Sequence, residues 1–116
     1  MTENTTRIIQ AIKAIPPGQV SSYGSIALAA GLPNGARQTV RVLHSLSEKF
    51  DLPWHRVIRS DGSIALDGDG RDLQIQLLRS EGVVVSPDGR VDMNRFAMNH
   101  VTMNREIKVS GRRRRS

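Results

Sequence analysis

The chain has 116 residues, of which 38% are hydrophobic and 24% are charged, with a net charge of +6 and no cysteine. This length predicts a single domain, because compact domains usually contain roughly 100 to 150 residues. No apolar run approaches the ~20 residues that a membrane span needs, so a soluble protein without a membrane partner is expected. The absence of cysteine excludes disulfides, thiolate catalysis and zinc held by cysteine.

The charge is unevenly distributed along the chain. Residues 112–115 are four consecutive arginines, which leaves a net charge of +2 for the remainder. Such a run is typical of a solvated tail that binds polyanions nonspecifically. Residues 35–60 hold five Lys or Arg and two acidic residues, whereas residues 61–72 hold four Asp and one Arg. This pattern favours a nucleic-acid partner without establishing one.

The first elements in the chain are predicted to be helices. Isoleucines at helical spacing indicate a helix over roughly residues 4–15, which the PPG sequence at residues 16–18 would end. Either Ser21 or Ser22 can cap the short, Ala-rich helix that follows, and Gly31 can end it. The small side chains of this second helix would allow close packing against its neighbours.

A tight turn, PNG at residues 33–35, leads into a third helix with two distinct faces. The arc expected to be buried contains Ala36, Thr39, Val40, Val42, Leu43 and Leu46. The arc expected to be exposed contains Arg37, Gln38, Arg41, His44, Ser45 and Glu48. Two short helices across a glycine-containing turn predict a helix-turn-helix, although a solvated amphipathic helix would show the same pattern.

The second half of the chain predicts two hairpins that flank another helix. The first would turn at the Asp-Gly pair of residues 61–62, and the second at the Pro-Asp-Gly of residues 87–89. The intervening helix would end at Gly82 and bury Leu73, Leu77 and Leu78. The predicted fold is mainly α with small β-hairpins, a winged helix-turn-helix DNA-binding domain over residues 1–93. Residues 94–116 are predicted to form a basic, loosely ordered tail.

Several ordered motifs over roughly residues 3–85 resemble one known family. They are IPPGQVSSYGSIA, ARQTV, PWHRVI, SDGSI and LLRSEGV. The series resembles the C-terminal, DNA-binding domain of O6-alkylguanine-DNA alkyltransferases, whose active-site motif is Pro-Cys-His-Arg-Val. Trp54 stands in the cysteine position, which is typical of the alkyltransferase-like proteins. The resemblance implies that the protein binds O6-alkylguanine in double-stranded DNA by nucleotide flipping, without repairing it, and presents the lesion to nucleotide excision repair proteins.

The chemistry of the indole agrees with a noncatalytic role. Alkyl transfer from O6 needs a soft, deprotonated nucleophile, and an indole has neither a thiolate nor a basic lone pair. An indole does offer a flat apolar surface, on which a base stacks with about 1 to 3 kcal/mol. The sequence therefore predicts no enzyme activity, no catalytic residue, no cofactor and no metal. A monomer in the cytoplasm is expected, associated with the nucleoid, or in the nucleus if the source is a eukaryote.

The resemblance also implies roles for individual residues. Tyr23, Trp54 and Val57 would line the lesion pocket, with Tyr23 helping to rotate the target phosphate. Arg37 would be an arginine finger that fills the place of the flipped base, because its planar guanidinium can stack and hydrogen bond there. His55 and Glu81 correspond to the pair that activates the thiolate.

Without a thiol, His55 and Glu81 are interpreted as a retained structural network. Gln38, Arg41 and Arg56 are predicted to bind DNA, with a structural role as the alternative for Arg56. The chain also departs from the family. An LDGDG sequence at residues 66–70 replaces the usual Tyr-containing loop, so its carboxylates should either stand away from phosphate or bond to base edges. The usual Asn-Pro is replaced at residues 47–49, which leaves the hinge there unassigned.

Three other functions remain open from the sequence. A winged-helix transcription regulator could use Arg37 and Arg41 to read a defined operator, usually as a dimer. An enzyme could use an unrecognised nucleophile such as Ser22 or His55, although no Ser-His-acid or metal-ligand spacing supports one. A protein-interaction adaptor would bind no DNA at all.

Overall fold

The computed structural model describes residues 1–100. In chain order its elements are α1 (Glu3–Lys13), β1 (Ser21–Ser22), α2 (Tyr23–Ala29), α3 (Ala36–Phe50), a 3-10 turn (Trp54–Arg56), β2 (Val57–Ile58), α4 (Gly68–Ser80) and α5 (Met93–Phe96). The fold is mainly helical, as predicted, with one short two-stranded sheet. None of the helices within residues 1–100 is long and apolar enough to cross a membrane.

The core is divided into two clusters that meet at β2. The cluster among α1, α2 and α3 contains Ile8, Ile9, Ile12, Ile15, Ile26, Ala30, Val42, Leu52 and Val57. The cluster beneath α4 contains Val20, Ile58, Ile64, Leu78, Val83, Val85 and Val91. Successive side chains of a strand point to opposite faces, so Val57 packs into the first cluster and Ile58 into the second. The turn that carries Trp54 directly precedes β2 and therefore lies where the two clusters meet.

The helix-turn-helix consists of α2 and α3. Ser22, rather than Ser21, caps α2, because its hydroxyl accepts a 3.1 Å hydrogen bond from the amide of Ser25. The third helix runs beyond the predicted polar arc to Phe50, and Asp51 ends it in the left-handed region at φ 53°. Residues 47–49, to which the sequence assigned no hinge, thus lie inside a continuous helix. Val40, predicted to be buried, is 38% exposed because a surface cavity opens beside it.

The predicted turns are present, but the predicted hairpins are shorter than expected. The first turn is closed by the amide of Arg59, which donates to the carbonyl of Ser63 at 2.9 Å. The strand before this turn, β2, pairs in parallel with β1 and not with the segment after the turn. In that segment, Ser63 forms a bridge with Arg90 of the second turn.

The second turn is closed by the amide of Ser86, which donates to the carbonyl of Arg90 at 2.9 Å, and by a bridge between Val85 and Val91. Pairing between distant segments thus replaces the strand pairing expected within each hairpin. The wing of the predicted winged helix-turn-helix, which these hairpins would form, remains a prediction.

The buried face of α4 differs from the prediction. Leu78 is fully buried, but Leu77 is half-buried and Leu73 is 46% exposed. Gln74 occupies the interior instead, with 2% of its surface exposed. A buried amide is tolerated there because its nitrogen donates to two backbone carbonyls, those of His55 and Val57. The prediction that Leu73 lies on the buried side is therefore wrong.

Residues 94–100, which were predicted to belong to the tail, contact the segment before α2. The amide of Val20 donates to Phe96 at 2.9 Å, and the amide of Met98 donates to Val20 at 2.7 Å. His100 is buried, and its Nε2 lies 2.7 Å from the hydroxyl of Ser21. Residues 94–100 thus pack on residues 20–21, and the boundary between domain and tail remains a prediction. Residues 101–116, including the arginine run, lie outside the described residues.

Candidate functional site

An open cavity of ≈ 720 Å³ lies between α3, the Trp54 turn and the start of α4. It brings together Tyr23, Trp54 and Val57, the three residues predicted to share a pocket. Its complete lining is Tyr23, Val40, Leu43, His44, Ser47, Trp54, Val57, Arg59, Ala65, Leu66 and Gln74. Small-molecule sites usually have about 300 to 1,000 Å³, and this volume lies within that range.

One wall of this cavity is a face of α3. Val40, His44 and Ser47 recur at intervals of three and four residues, which places them on one side of the helix. Arg37 is exposed three residues before Val40, so it lies on the same side and one turn nearer the helix N-terminus. Arg41 is also exposed, and Gln38 is half-buried. Within residues 1–100, neither Arg37 nor Arg41 forms a side-chain hydrogen bond or ion pair.

Tyr23 and Trp54 face the cavity from different elements. Tyr23 is the first residue of α2, and burial raises the pKa of its phenol above the ordinary value of 10.0, an effect that Arg59 opposes. Its hydroxyl is therefore a neutral hydrogen-bond donor at physiological pH. Trp54 is half-buried, and its ring meets the ring of His55 edge-on, with centroids 6.1 Å apart. The indole is thus a cavity wall and not a core side chain.

The carboxylate of Glu81, just after α4, joins three parts of the chain. It accepts hydrogen bonds from His55 Nε2 at 2.8 Å and from Arg56 Nη2 at 2.6 Å. It also accepts one from the amide of Gly18 at 3.2 Å. The Arg56 guanidinium, helped by His55 and Gly18, lowers the pKa of Glu81 from its ordinary 4.5 to about 2. His55 and Glu81 therefore lie in one network, as predicted, and it holds the Trp54 turn against the end of α4.

Arg56 lies in this network and not beside Gln38 and Arg41, where the prediction grouped it as DNA-binding. Its side chain is 15% exposed, and its Nε and Nη2 donate to Glu81. Its Nη1 donates to the carbonyl of Ile15 at 2.9 Å. All three nitrogens are engaged inside the protein, because a guanidinium that leaves water needs internal acceptors. The structural alternative for Arg56 is the one that the geometry supports.

Gln74 and Arg59 are among the cavity residues that the sequence did not predict. Gln74 donates from Nε2 to the carbonyls of His55 and Val57, both at 3.0 Å, and so fixes the backbone on either side of Arg56. A sequence signal exists, since Gln74 lies four residues before the buried Leu78 on the same helix face. Arg59 also lines the cavity, and only its position after the PWHRVI motif could have drawn attention to it.

The acidic loop at residues 66–70 lies partly outside the cavity. Leu66 lines it, but Asp67 and Asp69 do not. Asp67 immediately precedes α4, and Asp69 lies in its first turn. Negative charge is favoured at a helix N-terminus, which gives these carboxylates a structural reason to be there. Within residues 1–100, no group of three His, Asp or Glu side chains could hold a metal ion.

Glu81→Gln should reduce stability in a way that depends on pH. Because the folded-state pKa of Glu81 lies near 2, below its ordinary 4.5, the carboxylate stabilises the fold fully above about pH 5. That contribution is lost as the pH falls from 4.5 towards 2. We expect a loss of roughly 2 to 4 kcal/mol at neutral pH and a shrinking difference in acid. Urea unfolding measures it, with the exposed Glu48→Gln as control; a difference independent of pH would contradict the network's role.

Known proteins resemble this chain in sequence and in fold. The family model for the DNA-binding domain of 6-O-methylguanine DNA methyltransferase matches residues 3–83. The DNA base-flipping protein of Escherichia coli K12 is 45% identical over 94 residues, which cover 81% of this chain and 73% of that protein. Alkyltransferase-like protein 1 of Schizosaccharomyces pombe is 39% identical over 87 residues, 73% of this chain and 81% of that protein.

A solved structure shows the same fold. The crystal structure of S. pombe Atl1 in complex with damaged DNA containing O6-carboxymethylguanine superposes with a TM-score of 0.73 and 33% sequence identity. The match covers 85% of this chain and 97% of that one. The motifs, the fold and the matched length therefore agree, and the chain belongs to the family defined by the DNA-binding domain of 6-O-methylguanine DNA methyltransferase.

Proposed function

We propose that the protein recognises O6-alkylguanine in double-stranded DNA by rotating the nucleotide into the cavity, and that it does not transfer the alkyl group. The observation that carries the proposal is that Trp54 lines the ≈ 720 Å³ cavity, and the motif resemblance implies that it stands where the family has its acceptor cysteine. The names of the relatives support it, since one is a DNA base-flipping protein and another binds DNA containing O6-carboxymethylguanine.

The cavity offers no thiol that could accept an alkyl substituent. The chain has no cysteine, and the raised pKa of Tyr23 keeps its phenol protonated. The hydroxyl of Ser47 donates to the carbonyl of Leu43 at 2.6 Å. Neither rival nucleophile is suitably placed: Ser22 caps α2, and His55 bonds to Glu81 without lining the cavity. Damage recognition without chemistry fits these side chains better than an enzyme does.

The face of α3 that borders the cavity is the surface proposed to meet DNA. Arg37 would occupy the gap left by the flipped base, while Gln38 and Arg41 would contact the duplex along the helix. A transcription regulator would use the same face, but the adjacent cavity favours lesion recognition because reading base edges in a groove needs no pocket. We further propose a monomer that works where DNA is, at the nucleoid in the cytoplasm or in a eukaryotic nucleus, and hands lesions to nucleotide excision repair proteins.

Binding to matched duplexes tests the proposal. Two duplexes that differ only by guanine or O6-methylguanine are titrated at fixed salt, because phosphate contacts make absolute affinities salt-dependent. We expect tighter binding to the modified duplex and an unchanged protein mass after incubation. Equal affinities would favour the transcription regulator, and a mass gain of one methyl group would establish an enzyme.

Lesion binding should require the planar guanidinium of Arg37 and not only its positive charge. Extruding a base costs a few kcal/mol, and a guanidinium in the gap offsets part of that by stacking and hydrogen bonding. Arg37→Ala and Arg37→Lys should both lose affinity for the modified duplex, with lysine only partly restoring it. Arg41→Ala is the matched control and should weaken modified and unmodified duplexes equally. Full binding by Arg37→Lys would make Arg37 a simple phosphate contact.

A further inference from the structure

Arg59 gives the cavity a charge that the proposed function does not use. It is exposed in the first turn after β2, and its side chain forms part of the cavity wall with Ala65 and Leu66. Among the eleven lining residues it is the one Lys or Arg, and none is an Asp or Glu. Most of the other lining side chains are apolar. The cavity therefore combines an apolar surface with one permanent cation.

The guanidinium of Arg59 is available for a ligand. Within residues 1–100, Arg7, Arg56 and Arg90 each contact a carboxylate, whereas Arg59 forms no such pair. Asp61 is close enough to sense its charge, but that carboxylate accepts from Ser63 and lies 3.7 Å from Arg90. The charge of Arg59 also lowers the pKa of the Tyr23 phenol, against the larger effect of burial, and both residues line the cavity. Its charge thus reaches the cavity interior.

We infer that Arg59 is a specificity-determining residue, one that favours O6 substituents carrying a carboxylate over neutral substituents of the same size. This inference rests on the proposed function. A carboxylate carried into the cavity loses water, and no Lys or Arg other than Arg59 lines the cavity to compensate its charge. The fork of Arg59 supplies N–H groups and an opposite charge. A neutral substituent gains little from it.

A second anion could use the same donor, namely the backbone phosphate beside the flipped nucleotide. Both ligands would present anionic oxygens to the guanidinium. They differ in one respect, because the phosphate is present in every duplex and the carboxylate only in a charged adduct. Comparing two adducts of equal size within one duplex therefore cancels the phosphate and isolates the carboxylate.

The experiment is a cycle with two lesions and two proteins. Duplexes carrying O6-carboxymethylguanine or its neutral analogue O6-carbamoylmethylguanine are titrated with the parent and with Arg59→Gln at fixed salt. We expect Arg59→Gln to weaken binding of the charged adduct about tenfold relative to the neutral one, as for a charge-assisted hydrogen bond. Arg59→Lys should retain part of the preference. Arg7→Gln, an equal charge change on α1 away from the cavity, should leave the ratio unchanged.

The other outcomes overturn the inference in distinguishable ways. An equal loss for both adducts would make Arg59 a phosphate contact, and no loss for either would remove it from the interface. In both cases the parent would still prefer modified over unmodified DNA, so the proposed function would stand. A parent that binds guanine and both adducts equally would overturn the proposed function and this inference together.

Discussion

The carboxylate of Glu81, at the end of α4, accepts hydrogen bonds from two segments that are far from it in sequence, the turn after α1 and the Trp54 turn. These hydrogen bonds, above all the one from Arg56, stabilise the charged carboxylate and lower its pKa to about 2. In the family that the chain resembles, the corresponding pair serves a thiolate. Here no thiol exists, so what the network still does is fix the position and orientation of the Trp54 turn.

The cavity inherits its shape from elements that are themselves fixed. β2 sends Val57 into one core and Ile58 into the other, and Gln74 holds the backbone on both sides of Arg56. The opposite wall belongs to α3, the longest helix within residues 1–100. A binding surface built on such supports is preorganised, which lowers the ordering entropy lost on binding. A flipped nucleotide would thus meet a wall that is already in place.

Local signals explain most of what could be predicted. Capping by Ser22, the glycine turn before α3 and the isoleucine spacing of α1 are each encoded within a few residues. Tyr23, Trp54 and Val57 were predicted to share a pocket because their motifs resemble a known family, and the structure places all three on one cavity. The features that could not be predicted depend on contacts between segments that are distant in sequence. They are the pairing of β1 with β2, the burial of Gln74 in place of Leu73, the internal partners of Arg56 and the packing of residues 94–100 on Val20.

We propose that Trp54 forms the wall of the cavity that receives the modified base. Trp54 is the sole tryptophan in the chain, so its emission reports on that wall without interference. A fluorescence titration with a duplex containing O6-methylguanine, compared with the same duplex containing guanine, tests this placement. We expect a saturable change in emission with the modified duplex and a smaller one with the unmodified duplex. Saturating binding of the modified duplex with no change in emission would place the indole away from the lesion and contradict the proposed role of Trp54.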